Sequence, residues 1–169
     1  MISFIDQVKE FHKQFDVPIL AKPALPSEAR LLLRKTLVEE EFKEFIDAYL
    51  ASDLVGMADA IIDLHVVLSG TSLELGLPED ELFAEIHRSN MSKLWAHCSE
   101  CDVVLVKMTQ CGIYAHPEPF CKAVAHGIWK DVYKVHKRKD GKVIKSPYYS
   151  PADVKGILEK HMNKDAWAV

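Results

Sequence analysis

The stretch LVEEEFKEFIDAYLASDLVGMADAIIDLHVVLSG, residues 37–70, decides the fold. It holds two apolar, helix-favouring runs separated by ASDL, a short connector in which Asp53 is placed to cap the second run. In the first run Val38, Phe42, Phe45 and Tyr49 step by helical intervals, which predicts a core stripe. Yet Glu40, Glu41, Glu44, Asp59 and Asp63 recur at the same spacing, where apolar residues are expected. At about 100° per residue, Glu41 and Glu44 straddle the direction of Leu37 and Ala48 beside that stripe, while Glu39 projects to the far side near Lys43. Asp59 and Asp63 stack one turn apart on a face continued by Val66, Val67 and Gly70. All four inner carboxylates are therefore expected to face neighbouring protein.

Outward from this stretch, Phe4, Val8, Phe11 and Phe15 share one face of a predicted first helix. DVPILAKPALPS, with Pro18, Pro23 and Pro26, breaks it. Ser27 is the predicted N-cap of a long second helix ending near Leu50, and the third runs from Asp53 to about Gly76. That third helix is apolar nearly all round, as in a helix buried inside a bundle. PEDELFAEIHRSNMSKL begins a fourth with Pro78 and acidic residues suited to the positive end of a helix dipole. With PADVKGILEKHM as a short closing helix, the expected class is all-α, a bundle of four to five main helices. Residues 97–136 read as an insertion holding all four cysteines and four of the eight histidines. There CDVVLVKMTQCGIYA fits strand or helix by periodicity, and RKDGKVIKSPYYSP is turn-rich around Asp140-Gly141. The expected organisation is one domain over 1–169, with its core at about 1–96 and 139–162.

A net charge of −4 and a pI near 6.1 over 169 residues argue against a nucleic-acid partner. No uninterrupted apolar run approaches the ~20 residues that span a bilayer, and the amphipathic start MISFIDQVKEFHKQF lacks a signal-peptide pattern. No membrane partner and a cytoplasmic location are the expectations, with the cysteines as thiols or metal ligands rather than disulfides.

Ionised carboxylates cost several kcal/mol to desolvate unless paired, and several together repel one another. Compensation comes either from Arg30, Arg34 and Lys35 or from a divalent cation. The third helix offers no Lys or Arg between Asp53 and Gly76. Oxygen ligands from facing helices suit Mg²⁺ or Mn²⁺, and Mg²⁺ is commonly completed by substrate phosphates. A His-containing di-iron site needs Glu-x-x-His pairs that neither helix has.

EEFKE (Glu40 to Glu44) resembles the EExxE motif of the MazG-like all-α nucleoside triphosphate pyrophosphatases, relatives of phosphoribosyl-ATP pyrophosphohydrolase and dimeric dUTPases. MADAIIDLHVVLSGTSLELGLP, EIHRSNMSKL and DGKVIKSPYYSPADVKGIL resemble later segments of the same group, so the likeness covers roughly residues 27–96 and 139–159. It implies cleavage of a (deoxy)nucleoside triphosphate between the α- and β-phosphates with Mg²⁺ or Mn²⁺, a pyrimidine deoxynucleotide by analogy with the small phage- and bacteria-type branch. It also implies a homodimer or homotetramer. Glu41, Glu44 and Asp59 fall on metal-ligand positions, and Glu40 on the position that orients or deprotonates the attacking water. The second motif, ExxD, reads GMAD here, with Gly56 in place of glutamate. Asp63 or Asp53 are the alternative oxygen donors, and a weakened or inactive nucleotide-binding or interaction protein is the alternative function.

Asn90 and Lys93 share a face at the end of the fourth helix and, within the matching NMSK, are expected to contact substrate. Lys145 is a further phosphate candidate. Cys98 and Cys101 form a CxxC, followed by Cys111 and Cys121 with His97, His116 and His126 interspersed, a ligand set for structural Zn²⁺ or simply free thiols.

Overall fold

A computed structural model of the chain describes residues 3–98, 103–107, 114–115 and 131–162. Cys101, Cys111, Cys121, His116 and His126 lie outside the described residues. Among those described there are five helices, α1 (Phe4–Gln14), α2 (Glu28–Leu50), α3 (Leu54–Glu74), α4 (Glu79–Met91) and α5 (Val154–Met162). Four short strands accompany them, β1 (Trp95–Cys98), β2 (Val106–Lys107), β3 (Tyr114–Ala115) and β4 (Asp131–Lys134). The predominantly helical class is as expected. The chain forms two compact units, Met1–Leu82 with Val154–Val169, and Phe83–Asp153.

In the first unit α3 packs against both α2 and α1. Ser3 caps α1 by accepting the Asp6 amide, and Asp53 caps α3 by accepting the Val55 amide at 3.0 Å. Ser27 precedes α2 without a side-chain capping bond. α3 stops where Gly76 takes φ +63°, a conformation open to glycine at little cost. A side chain at Gly76 would also run into the Lys22 carbonyl, because the proline-rich connector crosses here and bonds Leu20 N to Leu73 O and Ala24 N to Leu75 O. α3 is long and apolar enough to cross a membrane by length and composition alone, though it carries Asp59, Asp63 and Glu74. Lys160 and His161 of α5 hydrogen-bond Glu81 at 3.1 and 2.9 Å.

The expected core stripes need correction. Of the α1 set only Val8 is buried, with His12 behind it, while Phe4, Phe11 and Phe15 are exposed. On α2, Phe42 and Tyr49 stand 56% and 61% exposed. The inner face of α2 is instead Arg34, Leu37, Val38, Glu41, Phe45 and Ala48. The cause is that α3 packs along one side of α2, so much of its broad apolar arc has no partner among the described residues.

In the second unit β1 pairs antiparallel with β4, Trp95 opposite Lys134 and His97 opposite Val132, and β2 pairs with β3. Periodicity left this segment open between helix and strand, and its described parts are strand. Asp140-Gly141 makes the expected turn, Gly141 at φ +83°, between Arg138 and Lys142.

Candidate active site

α2 and α3 bring all five acidic residues into one electrostatic neighbourhood centred on Glu41. Burial, and then the negative charges of Glu44, Asp63, Glu40 and Asp59, push the Glu41 carboxyl above its ordinary value. Its Oε2 is buried and has no hydrogen-bond partner among the described residues. Glu41 and Asp63 are half-buried, but Glu40, Glu44 and Asp59 are exposed, so the inward direction expected of Glu44 and Asp59 is not found within one chain. Both sit on parts of α2 and α3 that are exposed.

The cations of α2 are committed elsewhere. Lys35 pairs with Glu39 and Lys43 with Asp47, both exposed i,i+4 pairs. Arg30 and Arg34, the expected compensators, converge on Glu74 at the far end of α3. Arg30 Nε donates to Glu74 Oε2 at 2.9 Å and Arg34 Nε to Oε1 at 2.7 Å. Burial alone would raise the Glu74 carboxyl, but the bond from Arg30 and the charges of Arg34 and Arg30 hold it below the ordinary value. Arg34 Nη2 also donates to His12 Nε2 at 3.1 Å, and His12 Nδ1 then donates to the Pro18 carbonyl at 3.2 Å, which fixes a neutral ring. Gly70 makes room for this network: a Cβ there would lie 2.7 Å from His12 Nε2 and 3.0 Å from Arg34 Nη2.

Gly56, in the second motif, is filled from outside itself. A Cβ there would stand 2.7 Å from Asp53 Oδ2 and 3.1 Å from Ala48 Cβ. The Asp53 carboxylate occupies the space into which a side chain at 56 would start, and α2 approaches α3 closely at Ala48. One turn from Glu41 and Asp63, a cavity of about 310 Å³ is lined by Leu37, Val66, Val67, Leu33 and Phe11, with Arg30 and Arg34 also on its wall.

The all-oxygen donor set, the orphaned Glu41 oxygen and the absence of a committed cation fit a hard divalent ion in kind. The side chains as they stand do not close around one: among the described residues no three His, Cys, Asp or Glu converge to ligand distance.

Asn90, Lys93 and Lys145 belong to the second unit. Lys93 Nζ donates to Asn90 Oδ1 at 2.6 Å, and Lys145 Nζ lies 4.0 Å above the Tyr149 ring. Tyr149 accepts from Ser89 Oγ at 3.4 Å, and that bond, with the charges of Lys145 and Lys93, lowers its phenol against the opposing effect of burial. Tyr149 and Ser89 thus join the three expected residues in a cationic, aromatic patch. Sequence reasoning passed over both, although the paired tyrosines of SPYYSP follow Lys145 directly in its turn-rich segment.

The family model described as phosphoribosyl-ATP pyrophosphohydrolase matches residues 8–90, which run from within α1 to the penultimate residue of α4 and include Glu40, Glu41, Glu44, Asp59 and Asp63. No curated protein matches the chain. Over residues 8–90, then, this chain is similar to the phosphoribosyl-ATP pyrophosphohydrolase family, part of the MazG-like superfamily.

Proposed function

We propose that the chain is a metal-dependent pyrophosphohydrolase that cleaves a (deoxy)nucleoside triphosphate to monophosphate and pyrophosphate. The observation that carries this reading is Glu41: a half-buried carboxylate with an oxygen unpartnered among the described residues, raised by burial and by four neighbouring acids, on helices whose cations are engaged elsewhere. Such a surplus of negative charge is stable only when an external cation visits it.

Glu41, Glu44, Asp59 and Asp63 are the residues that would hold Mg²⁺ or Mn²⁺, which supplies Lewis acidity toward the phosphate oxygens and a more acidic water. Glu40, exposed on the same helix, accepts the proton as the water oxygen attacks the α-phosphorus. The bond from that phosphorus to the bridging oxygen breaks, and pyrophosphate leaves with the electron pair. Asn90, Lys93 and Lys145 offer amide and ammonium donors to phosphate oxygens. The apolar wall of Leu37, Val66 and Val67 suits the flat face of a base.

Self-association belongs to the same proposal. Phe42, Ile46, Tyr49, Leu54 and Ile62 are exposed on the two helices that carry the acids. A second copy covering them would also lower the dielectric around Glu44 and Asp59. Sedimentation at micromolar concentration tests this, and a monomer would refute it.

The second reading, a weakened or inactive member, draws on the occupied space above Gly56 and the open carboxylate set. One experiment separates the two: purified protein is incubated with Mg²⁺ or Mn²⁺ and a panel of triphosphates that includes phosphoribosyl-ATP, and pyrophosphate is measured against phosphate. Pyrophosphate release that disappears in Glu41→Gln supports the enzyme, and no release from any triphosphate supports the inactive member.

A further inference from the structure

We propose, resting on the nucleotide reading above, that Arg30 and Arg34 set the base preference of the site: their free N–H groups select bases that carry a carbonyl where cytosine and adenine carry an amino group. α2 and α3 run antiparallel, with Ala48 beside Gly56, Arg34 beside Gly70, and both arginines on Glu74. The same register sets Glu41 within reach of the Asp63 charge and Leu37 on one cavity wall with Val66 and Val67. Acids, apolar walls and guanidinium groups thus follow one another along the two helices. From Asp63 to Gly70 is two turns of α3, about 10 Å, which matches the reach from the phosphate of an extended nucleotide to the far edge of its base.

The hydrogen-bonding sense of the guanidinium end is one-sided. The polar side chains on the wall of the 310 Å³ cavity are His12, Arg30 and Arg34. Arg30 spends Nε and Nη2 on Glu74, and Arg34 spends Nε on Glu74 and Nη2 on His12 Nε2. The bond from Arg34 consumes the lone pair of the neutral ring, whose Nδ1 donates to the Pro18 carbonyl. What is left is the Nη1 group of each arginine, without an acceptor among the described residues. Guanidinium groups donate and never accept. A carbonyl oxygen, or the adjacent O6 and N7 of a 6-oxopurine, completes such an end. An amino group sets N–H against N–H and leaves both unpaired out of water.

Charge and burial favour a base edge over a phosphate here. The two guanidinium groups already share the Glu74 carboxylate, and the Arg34 side chain is only 10% exposed. Apolar walls make it costly for a phosphate to leave water, whereas a neutral carbonyl loses little and gains a hydrogen bond from a charged donor. A phosphate held by the two arginines is the competing use of this geometry.

The experiment uses the full chain with Mg²⁺ or Mn²⁺. kcat/KM is measured for dUTP against dCTP and for dGTP against dATP, and calorimetry measures binding of the four corresponding monophosphates, which needs no turnover. The expected result is a preference of at least about 10-fold for the carbonyl-bearing member of each pair in both measurements. Arg30→Gln keeps an amide donor for Glu74 and puts an acceptor beside the base, so it should bring each ratio to within about 3-fold. A merely structural loss would lower all four substrates alike. Arg30→Lys, which still only donates, should keep the preference. Pyrophosphate release without base preference overturns this proposal and leaves the pyrophosphohydrolase reading standing. Selective binding of dUMP and dGMP without pyrophosphate release from any triphosphate does the reverse. A preference that survives Arg30→Gln also overturns the proposal, as does inorganic phosphate that binds the metal-free wild type but not Arg30→Gln.

Discussion

The two ends of the α2–α3 pair treat charge in opposite ways. Toward the start of α2, Arg30, Arg34, His12 and Glu74 form a closed network in which every ring nitrogen and carboxylate oxygen has a partner. Toward its end, Glu40, Glu41, Glu44, Asp59 and Asp63 gather with one sign only, and among the described residues the innermost oxygen has no partner. Both clusters lie on the same two helices, so the contrast is not one of local secondary structure. A satisfied network holds the fold together, whereas an unsatisfied one of single sign stores a requirement for something outside the chain.

The balanced end breaks most severely. Glu74→Ala leaves two guanidinium groups beside a buried imidazole with no anion, and a loss of about 3–5 kcal/mol is expected by urea denaturation. Glu74→Gln should fall between the two, since it restores acceptor geometry without charge. If Glu74→Ala costs no more than an exposed substitution, the network is not what orders α1 on α3.

At the unbalanced end the same kind of change acts with the opposite sign on stability. Glu41→Gln is expected to cut pyrophosphate release at least about 100-fold, or roughly 2.7 kcal/mol of transition-state stabilisation. In metal-free protein it should raise the melting temperature by about 2–4 °C, because a carboxyl held above its ordinary value is destabilising when ionised. Activity equal to wild type would remove Glu41 from the metal site.

Gly56→Glu sharpens the comparison. The added Cβ meets Asp53 Oδ2 and Ala48 Cβ, so the Asp53 cap must rotate away from the Val55 amide. The better helix propensity of the new residue offsets part of this, and a net loss of about 1–2 kcal/mol is expected. Asp53→Ser in the same background keeps a capping oxygen and vacates the space, and should recover stability. Faster turnover by Gly56→Glu alone would show that the helix readily yields and that glutamate at this position completes the site.

The smallest effect concerns His12. Burial, then the charges of Arg34 and Arg30, lower it from 6.5, against the Pro18 carbonyl bond and Glu74. Its lowered folded value means that the unfolded chain takes up the proton first. The stability it contributes is therefore complete above pH 6.5 and is lost as pH falls through the folded value. His12→Gln, able to keep both hydrogen bonds, should show a shallower decline in urea midpoint below pH 6.5, at a cost on the order of 1 kcal/mol at neutral pH. An unchanged pH profile would mean that His12 is not titrating in this range.

By itself the sequence determined what depends on near neighbours. Prolines at 18, 23 and 26, the Asp53 cap and the Gly76 stop place helix ends to within a few residues, because each acts through a backbone bond or dihedral of its own turn. The crowding of five acids at helical spacing was legible for the same reason, since residues one turn apart on a helix are neighbours whatever the fold. Tertiary structure alone decided which acids go inward and which cations answer them. Arg30 and Arg34 share α2 with Glu41, yet they turn to Glu74, as Lys43, two residues from Glu41, turns to Asp47, and the side of α2 that faces α3 is set by the approach at Ala48 and Gly56 rather than by its most apolar stripe. It also decided that His97 and His136, far apart along the chain, bring their imidazole rings together. Long-range pairing depends on strand register and helix rotation, and those are collective properties of packing that no local spacing encodes.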